Sequence, residues 1–141
     1  MVKKMQILIV DAQGGGIGKQ LVSAVKQAAP SAEVTAVGAN SAATAAMMKA
    51  GADHVATGEN AVVVACRKAD IIMGPVGIAI ADSMLGEVTP AMAMAVGQSD
   101  ATRILIPFNH CSNIIVGVSD MSVKALIMDA VKELKILVDG T

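Results

Sequence analysis

Residues 5–19 run "MQILIVDAQGGGIGK". The first six are mostly apolar and include β-branched side chains, the pattern of a short strand buried on both faces. Glycines then fall at 14, 15, 16 and 18, a concentration that is costly in chain entropy. Beyond them Ile17, Leu21, Val22, Val25 and Ala28 recur at helical spacing until Pro30. A strand, a bare turn and a helix in that order are the start of a parallel crossover unit.

The same alternation continues outward. "EVTAVG" (33–38) is the next expected strand, and Ser41 is the expected cap of a helix over "AATAAMMKA" that closes at Gly51. "DHVA" (53–56) is a short strand, "ENAVVVACRKA" (59–69) a helix and "DIIMG" (70–74) a buried strand. Thr89 and Pro90 open a helix that Gly97 is expected to close. "RILIPF" (103–108) and "IIVGV" (114–118) are strands joined by a short polar loop. In the last helix Val123, Leu126, Ile127, Ala130, Val131, Leu134 and Leu137 share one face.

Strands separated by helices predict a single three-layer α/β, Rossmann-like domain over residues 1–141, with a mostly parallel sheet in the order 3-2-1-4-5. The loop before residues 114–118 is too short for a helical crossover, so that strand is expected to run antiparallel at the edge.

Composition removes several function classes. Of 141 residues, 54% are hydrophobic and 16% charged, which excludes wholesale disorder. A net charge of −1 and a single aromatic, Phe108, leave neither a basic footprint nor stacking platforms for nucleic acid. "IIMGPVGIAIA" (71–81) is well short of the about 20 residues a spanning helix needs. Cys66 and Cys111 fit no metal-spaced cluster, no metal site is expected, and a reducing cytoplasm is the expected location. Ten methionines and a mean hydropathy of +0.61 predict apolar surface shared with another copy. Residues 71–97 are the expected contact, because "PAMAMAV" (90–96) is apolar nearly all round, and Met92 or Met94 is placed at the interface of a homo-oligomer.

Ligands of such sheets sit at the carboxyl ends of the strands, near the switch in strand order. The loops there carry the candidate binding residues: Gln13, Gly14, Gly15, Gly16, Ile17 and Gly18 from the first, Asn40 from the second, Glu59 and Asn60 from the third, and Gly74 from the fourth. His54 enters its strand from the opposite edge. The dinucleotide fingerprint needs glycine at 13, and the phosphate loop of ATPases needs glycine at 13 with Ser or Thr at 20; Gln13 and Gln20 break both. The context still favours backbone N–H groups at a helix N-terminus holding a phosphate or carboxylate, with a plain tight turn as the alternative. After the second strand "VGANS" offers no carboxylate for ribose hydroxyls, which suits NADP, another nucleotide or no ribose at all. Asp11 would bind a metal or, more simply, hold the loop. Glu87 and Cys111 are the candidate catalytic groups, although Cys111 beside His110 has no nameable orienting partner.

These segments resemble a bacterial family, domain of unknown function 3842, through "QGGGIG", "GAN", "ATGENA", "DIIMGPVGI", "SMLGEVTPAMA" and "ILIPFNHC", nearly the whole chain. The resemblance implies no established activity and only that these loops belong together. The expected function is binding of a phosphorylated small molecule, a nucleotide or a dinucleotide such as NAD(P). The alternative is a self-associating sensor or assembly module whose glycines are architectural. Catalysis stays open. A dehydrogenase is disfavoured, because no tyrosine or well-placed histidine is at hand as proton donor.

Overall fold

Gln6 to Asp11 form a strand, β1, because both of its faces find apolar cover. Ile7 and Ile9 point into one helical layer and Leu8 and Val10 into the other, all at most 2% exposed. The computed structural model describes residues 3–108, 112–118 and 121–140. After β1 come α1 (Gly16–Ala28), β2 (Glu33–Gly38), α2 (Ser41–Lys49), β3 (His54–Thr57), α3 (Glu59–Lys68) and β4 (Ile71–Pro75). A short 3-10 turn (Val76–Ala79) leads on to α4 (Pro90–Gln98), β5 (Thr102–Ile106) and α5 (Val123–Asp139).

Among the described residues the sheet has five strands, all parallel, in the order β3-β2-β1-β4-β5. Helices α1, α2 and α5 cover one face and α3 and α4 the other. Strand order reverses between β1 and β4, which puts the glycine loop at the switch point. No described helix is long and apolar enough to cross a membrane.

The expected antiparallel edge strand is not there. Residues 114–118 form an irregular segment with a turn at Val116–Gly117, where Gly117 has φ 86°. Ile114 and Val116 are 91% and 93% exposed. Their β-branched character signals a strand, but the left-handed Gly117 breaks extension and, among the described residues, β5 pairs only with β4. The cap of α2 also moves by one residue: Asn40 Oδ1, not Ser41, accepts Ala43 N at 2.9 Å. Gly97 lies inside α4, which closes at Ser99. Met92 is in the core of its own chain, so of the two methionines only Met94, 57% exposed, faces outward.

Gly74 is likewise a core position. A Cβ built there would lie 2.4 Å from Val10 O and 2.8 Å from Ile78 Cδ1. Replacing Gly74 with alanine should therefore cost about 1–3 kcal/mol of stability through overpacking between β1 and β4. Chemical denaturation measures it, and a midpoint equal to wild type would contradict this packing.

Candidate functional site

The site begins where β1 ends. Asp11 is buried, and its carboxylate accepts Ala12 N at 2.8 Å through Oδ1 and Gly18 N at 2.6 Å through Oδ2. Burial pushes its carboxyl above the ordinary 3.8, the bonds from Gly18 and Ala12 pull it down, and the charge of Glu87 adds to the upward shift. Asp11 thus closes the glycine turn onto the first turn of α1. Holding the loop is the role the geometry gives it.

The four glycines divide into two pairs. Gly15 has φ 73°, and a Cβ there would lie 2.9 Å from Ala43 Cα on α2. At Gly18 a Cβ would meet Met47 Sδ at 2.6 Å and Asp11 Cβ at 2.8 Å. These two are bare so that the loop, α1 and α2 can close together. Gly14 and Gly16 differ, since a Cβ at either meets nothing within 4 Å and neither has positive φ.

The amides of the loop divide in the same way. Gly15 N donates to Ala12 O, Gly18 N to Asp11 and Lys19 N to Gly15 O. Gly14, Gly16 and Ile17 N–H have no partner among the described residues. They border a hollow of about 240 Å³ that lies between Gln13–Ile17 and the side chains of Pro75, Met84, Phe108 and Val123. A helix N-terminus with unpaired amides attracts negative charge.

On the β2 side the loop is already engaged. Glu87 Oε1 accepts Gln13 N at 3.0 Å and Asn40 Nδ2 at 2.6 Å. Asn40 Nδ2 also reaches Gln13 O at 3.0 Å. Glu87 rides on a closed strap, residues 82–88, in which Asp82 N bonds Val88 O and Val88 N bonds Ser83 O. Ser83 Oγ donates to Gly77 O beneath it. Asp82, Met84 and Leu85 have φ of 65°, 55° and 58°, a left-handed conformation that costs about 1–2 kcal/mol per residue. Such strain persists only where the surroundings over-determine it, and it gathers at functional sites.

The remaining candidates sit farther out. Glu59, in the first turn of α3, accepts Thr89 Oγ1 at 3.0 Å and ties α3 to the cap of α4. Asn60 is exposed on the same turn. Cys111, with Asn109 and His110, lies outside the described residues. Cys66 is buried in α3, and burial pushes its thiol up to about 11, an inert side chain at neutral pH. His54 stands at the amino edge, where its Nε2 lies 2.5 Å from Glu33 Oε1 beside a separate hollow of about 370 Å³ under α3. Gln6 and His54 hold Glu33 below its ordinary 4.5. The junction of Glu87 with Gln13 and Asn40 is what sequence reasoning missed. Its one signal was a glutamate with no cap or helix-dipole role.

With this geometry in place, the chain belongs to the family described as "Domain of unknown function (DUF3842)", whose model matches residues 6–139. No curated protein matches the chain. Among solved structures it is similar to one described as "Crystal structure of universal stress protein in complex with cAMP". The identity is 20%, covering 74% of this chain and 98% of that chain, with a TM-score of 0.42. A likeness at that score carries no argument about this chain's ligand.

Replacing Asp11 with asparagine puts an NH2 group against one of two buried amides and should cost about 1–3 kcal/mol. Because the native pKa of Asp11 is raised, its contribution to stability is full below pH 3.8 and is lost as pH rises through the raised value. The penalty of D11N in denaturant titrations should therefore be larger in mild acid than at neutral pH. The opposite trend would show that the two N–H bonds outweigh burial.

Proposed function

We propose that the protein binds a phosphorylated small molecule at the glycine loop, with nucleotides among the candidates. The observation that carries this is the coincidence of three unpartnered amides, Gly14, Gly16 and Ile17, with two glycines whose missing side chains serve no packing or backbone need. Backbone can approach a phosphate closely only where no Cβ intervenes. In this assignment Gly14, Gly16 and Ile17 hold the phosphate. Gln13, Gly15 and Gly18 shape the loop around it, with Asn40, Glu59 and Asn60 on its flank. Lys19, also in the first turn of α1, makes no ion pair among the described residues and adds positive charge nearby. No reaction is assigned, since the Glu87 carboxylate is engaged in holding the loop.

Self-association is the alternative, or an addition. Within residues 71–97 it is favoured by Leu85, 97% exposed on the strap, together with Met94 on the outer face of α4. Apolar side chains this exposed often mark contact surfaces.

Two measurements separate these readings. Gly16→Val fits the open space and should leave the fold intact while abolishing ligand binding. Wild type with a phosphate ester at 100 times its Kd should gain about 2.7 kcal/mol of stability, and G16V should gain none. Equal stabilisation of both proteins would remove the phosphate from this loop. For self-association, Met94→Lys combined with Leu85→Lys should turn an oligomer into a monomer in sedimentation velocity. A wild type that is already monomeric at micromolar concentration would end that alternative.

A further inference from the structure

We infer, resting on the phosphate assignment above, that Glu87 accepts the 2′-hydroxyl of a ribose joined to that phosphate, so that the ligand is a ribonucleotide or another ribose 5-phosphate ester. In parallel α/β sheets that bind dinucleotides, an Asp or Glu beyond the second strand accepts the 2′-hydroxyl of the ribose. Here the connection after β2, residues 38–42, contains no acid. Asn40 does not replace one, because its Oδ1 caps α2 on Ala43 N and its Nδ2 donates to Gln13 O and Glu87. The strap supplies the missing group. Glu87 Oε1 accepts Asn40 Nδ2 at 2.6 Å and Gln13 N at 3.0 Å, which fixes the carboxylate between the end of β2 and the glycine loop.

Only one oxygen of that carboxylate is spent on the loop. Among the described residues Oε2 accepts no hydrogen bond, and the side chain is half-buried, so it is open to a ligand. Buried Ser83 and Val88 hold the strap on either side, and Asp82 N bonds Val88 O to close it. The acceptor is therefore in place before any ligand arrives. It is also near the phosphate. Glu87 binds the amide of Gln13, and Gly14, next in the chain, begins the arc of unpartnered amides. Consecutive Cα atoms are about 3.8 Å apart, so the arc and Oε2 are neighbours on the scale of one pentose. The same carboxylate repels a 2′-phosphate, and residues 38–42 hold no Lys or Arg to neutralise one. The ribose accordingly carries a free 2′-hydroxyl, which NADP lacks.

Isothermal titration of wild type, Glu87→Gln and Gly16→Val with ribose 5-phosphate and 2-deoxyribose 5-phosphate tests this, because the two sugars differ only in the hydroxyl at issue. Wild type should bind ribose 5-phosphate about tenfold tighter. E87Q can keep its Oε1 on Gln13 N and Asn40 Nδ2 but puts a neutral NH2 group where Oε2 stood. It should lose most of the preference, through weaker binding of ribose 5-phosphate alone. G16V should lose both sugars alike, since it blocks the phosphate. Wild type that binds the two equally overturns the inference and leaves the phosphate assignment standing. So does an E87Q that discriminates as wild type does, or one that loses both sugars alike, since Glu87 would then only shape the loop. Circular dichroism checks the fold, and if E87Q does not fold, Glu87→Asp, which withdraws the carboxylate by one methylene, is read in the same way. If wild type binds neither sugar, the phosphate assignment fails, and the inference fails with it.

Discussion

The structure turns on the buried carboxylate of Asp11. At the last residue of β1 it binds the amides of Ala12 and Gly18, so the chain leaves the sheet and re-enters as a helix around one charge. Burial alone would make that charge expensive, and bonds from two amides to an ionised acceptor offset part of the cost. The absence of a side chain at Gly18 follows from this closure. A Cβ would press on the Asp11 carboxylate and on Met47 at once. Gly15 is bare for a neighbouring reason, the approach of α2.

Once Asp11 has closed the loop, its amides fall into two sets. Gly15, Gly18 and Lys19 are satisfied within the turn, and Gln13 by Glu87. Gly14, Gly16 and Ile17 are left over, all on one short arc that borders the hollow beside Phe108. Two carboxylates flank the loop, Asp11 beneath it and Glu87 on its β2 side.

The strap shows how remote chain completes a site. Glu87 comes from the connection between β4 and α4, yet its partners are in the β1–α1 and β2–α2 connections. Thr89, two residues on, caps α4 and donates to Glu59 on α3. The segment 82–89 thus joins four of the connections at the carboxyl edge. Its strained residues are held by buried anchors on either side, which is why the exposed Leu85 can sit in an unfavourable conformation without the strap unravelling.

Much of this was legible in the sequence. Short apolar runs buried on both faces and helical stripes at 3.6 residues marked the five parallel strands, and their alternation with helices pointed to the order that the sheet has. The glycine loop was visible as a feature, and so was the role of Asp11. Local pattern failed at 114–118, where β-branched residues lack a strand to pair with, and at Asn40, where one residue's shift in the cap depends on the exit angle of β2. It also failed to tell the two packed glycines from the two open ones, since spacing carries no information about what stands opposite a missing Cβ. The absence of a carboxylate after β2 read as suiting NADP, another nucleotide or no ribose at all. Only the tertiary structure brings Glu87 to that spot from 47 residues away. Sequence determines which backbone each segment prefers, through propensity and periodicity. Which charges and amides meet is decided by the packing of distant connections over one edge of the sheet.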